Sequence, residues 1–137
     1  MAHTRKILVV EDHSDLRRLL AFFLDRIGYD VIEAETGLTA VERANATPPD
    51  LIMMDLGLPD ITGDKVTAHL KANPSTKHIP VVVVTAYYGN APLVESAIAA
   101  GACDVLSKPV SLRTLEDTLR RLLMTKPEEE CLTVNFE

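Results

Sequence analysis

The stretch Ile7-Leu8-Val9-Val10-Glu11-Asp12 decides the fold. Four aliphatic residues in a row make a strand apolar on both faces, the pattern of a parallel sheet covered by helices on each side. The run stops abruptly on two carboxylates. Beyond them the period changes: Leu16, Leu19, Leu20, Phe23 and Ile27 recur at helical spacing, and Gly28 follows as a stop.

The same unit repeats to the end of the chain. A second strand is predicted near Tyr29 to Ala34, with a helix around Leu38 to Ala46 ended by Pro48-Pro49. Leu51 to Met54 forms a third strand and runs into a loop at Asp55 that holds Gly57, Pro59 and Gly63. A helix from about Asp64 to Lys71 is broken by Asn73-Pro74. Ile79 to Val84 contains a run of valines and suits a central strand. Asn90-Ala91-Pro92 opens a fourth helix that Gly101 closes. Cys103 to Leu106 is the fifth strand. Leu112, Leu115, Leu119 and Leu122 stripe a last helix capped by Ser111. This alternation predicts an α/β, doubly wound domain with a five-stranded parallel sheet and five helices. Right-handed crossovers gather the strands' C-terminal ends at one edge, where ligands of open α/β sheets sit.

Composition narrows the function. The 137 residues suffice for one hydrophobic core and not for two. We expect residues 1–125 to form the domain and 126–137 a tail. In that tail Leu132, Val134 and Phe136 alternate with polar residues, the pattern of a short extended arm. Twenty acidic residues against 14 basic, a net charge of −6, argue against nucleic acid and anionic lipid as partners. Arg17-Arg18 and Arg120-Arg121 are expected on solvated helix faces. No apolar run approaches the about 18 residues that span a bilayer, so a cytoplasmic location is expected. Cys103 and Cys131 have neither metal spacing nor a disulfide framework and are expected as reduced thiols.

The strand ends carry the chemistry: Glu11 and Asp12 after the first, Asp55 after the third, Thr85 after the fourth and Lys108-Pro109 after the fifth. Each taken singly could be a helix cap or a satisfied strand end. Together they are harder to dismiss, because like charges about 4 Å apart repel by about 1 kcal/mol in water and about 4 at a partly buried site. Three converging carboxylates need a cation, and all-oxygen ligands favour Mg²⁺, with Mn²⁺ as the substitute. Lys108 brings a second positive charge and Thr85 a hydroxyl donor. This set suits phosphoryl transfer to Asp55.

Val9-Val10-Glu11-Asp12, Asp55-Leu56-Gly57-Leu58-Pro59, Val84-Thr85-Ala86 and Ser107-Lys108-Pro109 resemble, in order and spacing, the signature segments of response-regulator receiver domains. The resemblance covers about residues 5 to 124. It implies a flavodoxin-like strand order 2-1-3-4-5 and a stand-alone, chemotaxis-regulator-like switch rather than an enzyme, apart from self-phosphorylation and autodephosphorylation. It makes Asp55 the phosphoacceptor, Asp12 a direct Mg²⁺ ligand, Glu11 a ligand through water and the Gly57 carbonyl the remaining donor. It also implies a cis peptide before Pro109. The phosphoryl group would come from a histidine kinase or a histidine phosphotransfer protein. Output would go to a protein target through the face of the fourth helix, fifth strand and fifth helix. A homodimer, if formed, would use that face or the tail. The rival reading is a pseudo-receiver that is never phosphorylated and serves as an interaction module.

Two positions depart from the family pattern. Val105 stands where a Tyr or Phe ring usually turns inward, so the usual aromatic readout is missing, and Tyr87 and Tyr88 are candidates for a substitute switch loop. Gly57 offers no side chain to shield an acyl phosphate, so a short-lived one is expected. Other phosphate chemistries fit less well. A dehalogenase-like phosphatase wants an acid where Gly57 stands, and Glu11-Asp12-His13-Ser14-Asp15 would repel the phosphate of a flavin-type cofactor.

Overall fold

The protein is described here by a computed structural model covering residues 4–86 and 91–124. Five strands, β1 (Lys6–Val10), β2 (Asp30–Ala34), β3 (Leu51–Met54), β4 (Val81–Thr85) and β5 (Asp104–Ser107), alternate with five helices. These are α1 (Ser14–Arg26), α2 (Gly37–Ala46), α3 (Gly63–Ala72), α4 (Ala91–Ala99) and α5 (Leu112–Met124). Every strand pair is parallel, in the order β2-β1-β3-β4-β5.

The continuous apolar runs serve both faces, as successive side chains point to opposite sides. Ile7, Val9, Leu51, Met53, Val82 and Val84 pack with Leu20, Leu24, Leu115, Leu119 and Leu122 of α1 and α5. Leu8, Val10, Ile52, Met54 and Val81 pack on the other face with Ala40, Ala44, Val66 and Leu70 of α2 and α3. A third cluster under α4 joins Leu56, Val83, Ala97 and Ala102, with Val105 against it.

Helix boundaries follow local chemistry. Gly28 and Gly101 take φ of 105° and 115°, left-handed values open to glycine, just past α1 and α4. The Ser111 hydroxyl accepts the Thr114 N–H at 3.0 Å and caps α5. Three expectations from the sequence need correction. Leu19 and Leu112 stand on the helix stripes yet are 55% and 40% exposed, because Leu24 and Leu115 already fill the space toward the sheet. Arg17 is buried rather than solvated, drawn inward by acceptors just past β1 and on β2. Cys103 is disulfide-bonded rather than a reduced thiol, since spacing along the chain does not reveal what folding brings together. Cys131, Tyr87, Tyr88, Asn90 and the tail from residue 125 lie outside the described residues.

One long-range cap ties the loop after β3 to α2. The Asp60 carboxylate accepts the N–H groups of Gly37 and Leu38, each at 2.8 Å, 23 and 22 residues away in sequence. Desolvation pushes this carboxyl up, but the N–H groups of Leu38 and Gly37 outweigh it and hold it below the ordinary value of 3.8. The cap is therefore complete above the unfolded-chain value and is lost as pH falls through the lower folded one. Asp60→Ala is expected to cost about 1 kcal/mol near neutral pH, and the loss should vanish in acid. Urea unfolding at both pH values checks this.

Candidate functional site

The sheet order places β1 between β2 and β3, so the ends of β1 and β3 lie side by side in register, Val10 opposite Met54. The next residues of each strand are therefore neighbours. The Asp55 N–H donates to the Val10 carbonyl at 3.1 Å, and the Glu11 N–H donates to the Ala34 carbonyl at 3.0 Å. Glu11 and Asp55 are 3% and 6% exposed, whereas Asp12 faces solvent. One carboxylate oxygen from each of Glu11, Asp12 and Asp55 lies within 4.8 Å of the others. Around them opens a cleft of about 620 Å³ whose walls include Gly57, Ala86 and Lys108.

Lys108 arrives from β5 across the sheet edge. Its backbone N–H donates to the Thr85 carbonyl at 3.0 Å, and the peptide bond to Pro109 is cis. The ammonium donates to Glu11 Oε1 at 2.6 Å and stands 3.4 Å from Asp55 Oδ2. The second Glu11 oxygen accepts the His13 N–H at 3.1 Å. Desolvation raises the Glu11 carboxyl above its ordinary value; the Lys108 hydrogen bond opposes this and the Asp55 charge adds to it. Desolvation works to lower the Lys108 ammonium, but the hydrogen bond to Glu11 and the charges of Asp55 and Glu11 hold it above the ordinary lysine value. Among the described residues, Lys108 thus pairs with two of the acids that line the cleft, and an excess of negative charge remains.

The donor set passes a simple test for a small divalent ion. The three acids offer only carboxylate oxygens, the donor type that Mg²⁺ selects. Oxygens on opposite sides of an octahedral Mg²⁺ lie about 4.2 Å apart. A spread of up to 4.8 Å is therefore close to a direct fit and leaves room for one ligand to act through water.

The other expected residues are placed differently. Thr85 ends β4 fully buried and is not among the residues lining the cleft. Val105 does not face the carboxylates but packs with Leu56, Val83 and Ala97 under α4. The Gly57 N–H reaches Asp55 Oδ1 at 3.5 Å, at the limit of a hydrogen bond. Three groups near the site were invisible from sequence. Arg17 donates to the Glu11 carbonyl at 2.9 Å, and its guanidinium meets Glu33 at 3.1 Å and Glu35 at 3.5 Å. Gly63 is pressed against the backbone of Asp55. Glu33 and Glu35 stand at the end of the second strand, a position that by itself assigned them no role.

Residues 7–120 match the response regulator receiver domain family. The chain belongs to that family. Among curated relatives it is similar to the polar-differentiation response regulator DivK of Brucella ovis, 35% identical over 121 residues. That match spans 88% of this chain and 97% of the relative. Its fold is similar to that of the chemotaxis response regulator CheY4 of Vibrio cholerae, with TM-score 0.81 and 28% identity over 88% of this chain and 99% of that one. It is also similar to the receiver domain of a sensor histidine kinase from Pseudomonas aeruginosa, with TM-score 0.82 and 28% identity over 90% of this chain and all of that one. That structure is described with a magnesium ion coordinated in its active-site cleft.

Proposed function

We propose that this receiver domain is a phosphorylation switch in which Asp55 accepts a phosphoryl group from a phosphohistidine on a kinase or phosphotransfer protein. One observation carries the reading: three carboxylates from two adjacent strand ends share a cleft with Lys108. The match to nearly the whole of the DivK relatives supports a regulator domain, 1–125 with a tail of 126–137, whose output passes by protein contact or along a phosphorelay. The proposed setting is the cytoplasm. No helix among the described residues is long and apolar enough to cross a membrane.

In the transfer, an Asp55 carboxylate oxygen forms the new O–P bond as the donor's P–N bond breaks. The imidazole leaves with the electron pair and takes a proton from water. Asp12, Asp55 and the Gly57 carbonyl would hold Mg²⁺, with Glu11 joining through water. The ion, when bound, would offset charge on the phosphoryl oxygens. Lys108 is already within 3.4 Å of Asp55 and supplies a cation for the transferred group. Thr85, at the neighbouring strand end, is the proposed hydroxyl donor. With valine at 105 there is no ring to turn, so output runs through the packing of Val105 and Leu56 under α4, or through the loop bearing Tyr87 and Tyr88.

Acetyl phosphate tests the reading without knowledge of the donor. Incubated with it and Mg²⁺, the protein should gain one phosphoryl group by intact mass, and EDTA should suppress the gain. A protein that stays unmodified with Mg²⁺ present would overturn the switch and leave an interaction module.

A further inference from the structure

Arg17 is an α1 residue whose side chain is 9% exposed. A buried guanidinium needs acceptors for its fork of donors, because desolvating an unpaired charge costs several kcal/mol or more. It finds them on two strand ends. Nη1 donates to the Glu11 backbone carbonyl at 2.9 Å, Nε donates to Glu33 Oε1 at 3.1 Å, and Nη2 stands 3.5 Å from Glu35 Oε2.

The first of these contacts has a geometric consequence. A peptide unit is planar, so the Glu11 carbonyl and the Asp12 N–H turn together. A charge-assisted hydrogen bond on that oxygen fixes the plane from which both Glu11 and Asp12 project. Glu11 has further restraints in Lys108 and His13. Asp12 is solvent-exposed, and its direction depends on the backbone beneath it. We infer that Arg17 is a positioning residue: anchored by Glu33 and Glu35, its guanidinium locks the Glu11–Asp12 peptide and so sets the metal affinity of the site. This rests on the magnesium reading above and extends it to three residues that touch none of the reacting atoms.

Charge points the same way. Glu33 and Glu35 neutralise a cation that would otherwise sit next to a divalent-ion site. Removing the anchors should therefore weaken binding, whereas removing the fork weakens it by freeing the Glu11–Asp12 peptide, against a smaller electrostatic gain. Ligand-orienting partners of this kind alter metal affinity about 10- to 100-fold when lost.

The test compares wild type, Arg17→Met, Arg17→Lys and the double variant Glu33→Gln/Glu35→Gln by Mg²⁺ titration, followed at the Asp12 and Asp55 amides by NMR. Thermal unfolding is measured alongside. Arg17→Met should bind Mg²⁺ about 10- to 100-fold more weakly. Arg17→Lys should recover melting temperature but not affinity, because one ammonium cannot hold acceptors on two strands as a planar fork does. The double variant, altered only at exposed carboxylates, should fold and still bind several-fold more weakly; it decides the matter if Arg17→Met does not fold. Lysine and double variants that bind like wild type would overturn the proposal. If wild type itself binds no Mg²⁺, the magnesium reading fails instead. Hydrogen exchange at the Asp12 amide of the metal-free protein then judges the anchored peptide alone: faster exchange in Arg17→Lys supports it, and an unchanged rate refutes it.

Discussion

Asp55→Asn is expected to take up no phosphoryl group from acetyl phosphate under conditions that modify the wild type, and at the same time to unfold at higher urea. The first effect follows from chemistry: an amide has no anionic oxygen to attack phosphorus. The second follows from crowding. Asp55 and Glu11 are both buried, with Asp12 close by and one lysine between them. The Lys108 ammonium sits nearer Glu11, at 2.6 Å, than Asp55, at 3.4 Å, so losing the Asp55 charge sacrifices the weaker contact. The relieved repulsion should leave a net gain of about 1 kcal/mol without metal. Because the Asp55 charge raises the Glu11 carboxyl, the variant should also bring that group back toward its ordinary value, measurable by carboxyl NMR titration. Adding Mg²⁺ should narrow or reverse the stability difference, since wild type gains binding free energy that the variant lacks. An Asn variant modified as fast as wild type would place the acceptor elsewhere and sink the assignment.

The legible part of this protein is what depends on a strand being covered on both faces. Ile7 to Val10, Leu51 to Met54 and the valines of β4 could only be interior strands of a parallel sheet, and the structure has them so. Once the strands were placed, topology alone brought Glu11 next to Asp55, because each is the first residue beyond its strand. Lys108 was legible for the same reason. Side chains that act across elements were not. Arg17 looked like one of a pair of helix-surface arginines, and only the nearness of the β1 and β2 ends turns it inward. Asp60 drew no reading from the sequence, because its capping of α2 needs the three-dimensional approach of two loops. Leu19 and Leu112 kept helical period yet face water, since a stripe wider than the sheet beneath it cannot be buried whole.

Gly63→Ala should be the most destabilising of these changes, and it acts through the acceptor residue itself. Gly63 opens α3, and its N–H donates to the Leu56 carbonyl at 3.0 Å, closing the loop that begins at Asp55. A Cβ at this position would lie 2.2 Å from the Asp55 carbonyl oxygen and 3.0 Å from both the Asp55 carbonyl carbon and the Leu56 Cα. All three are backbone atoms at the end of a central strand, so no rotamer change relieves the clash. Either α3 lifts from the sheet or the Asp55 peptide moves. We expect a loss of about 3 kcal/mol or more, at the upper end of overpacking costs, with a fall in melting temperature of about 10 °C. The protein that still folds should accept phosphoryl groups more slowly, because the displaced peptide carries the attacking carboxylate. Gly37→Ala is the control. Its Cβ would approach Ile61 Cγ1 at 2.6 Å and Val66 Cγ2 at 2.8 Å, side-chain atoms that can give way, so a smaller loss is expected with phosphorylation unchanged. Equal stability of the two variants, or a Gly63→Ala protein as stable as wild type, would show that α3 is not seated on the acceptor's backbone.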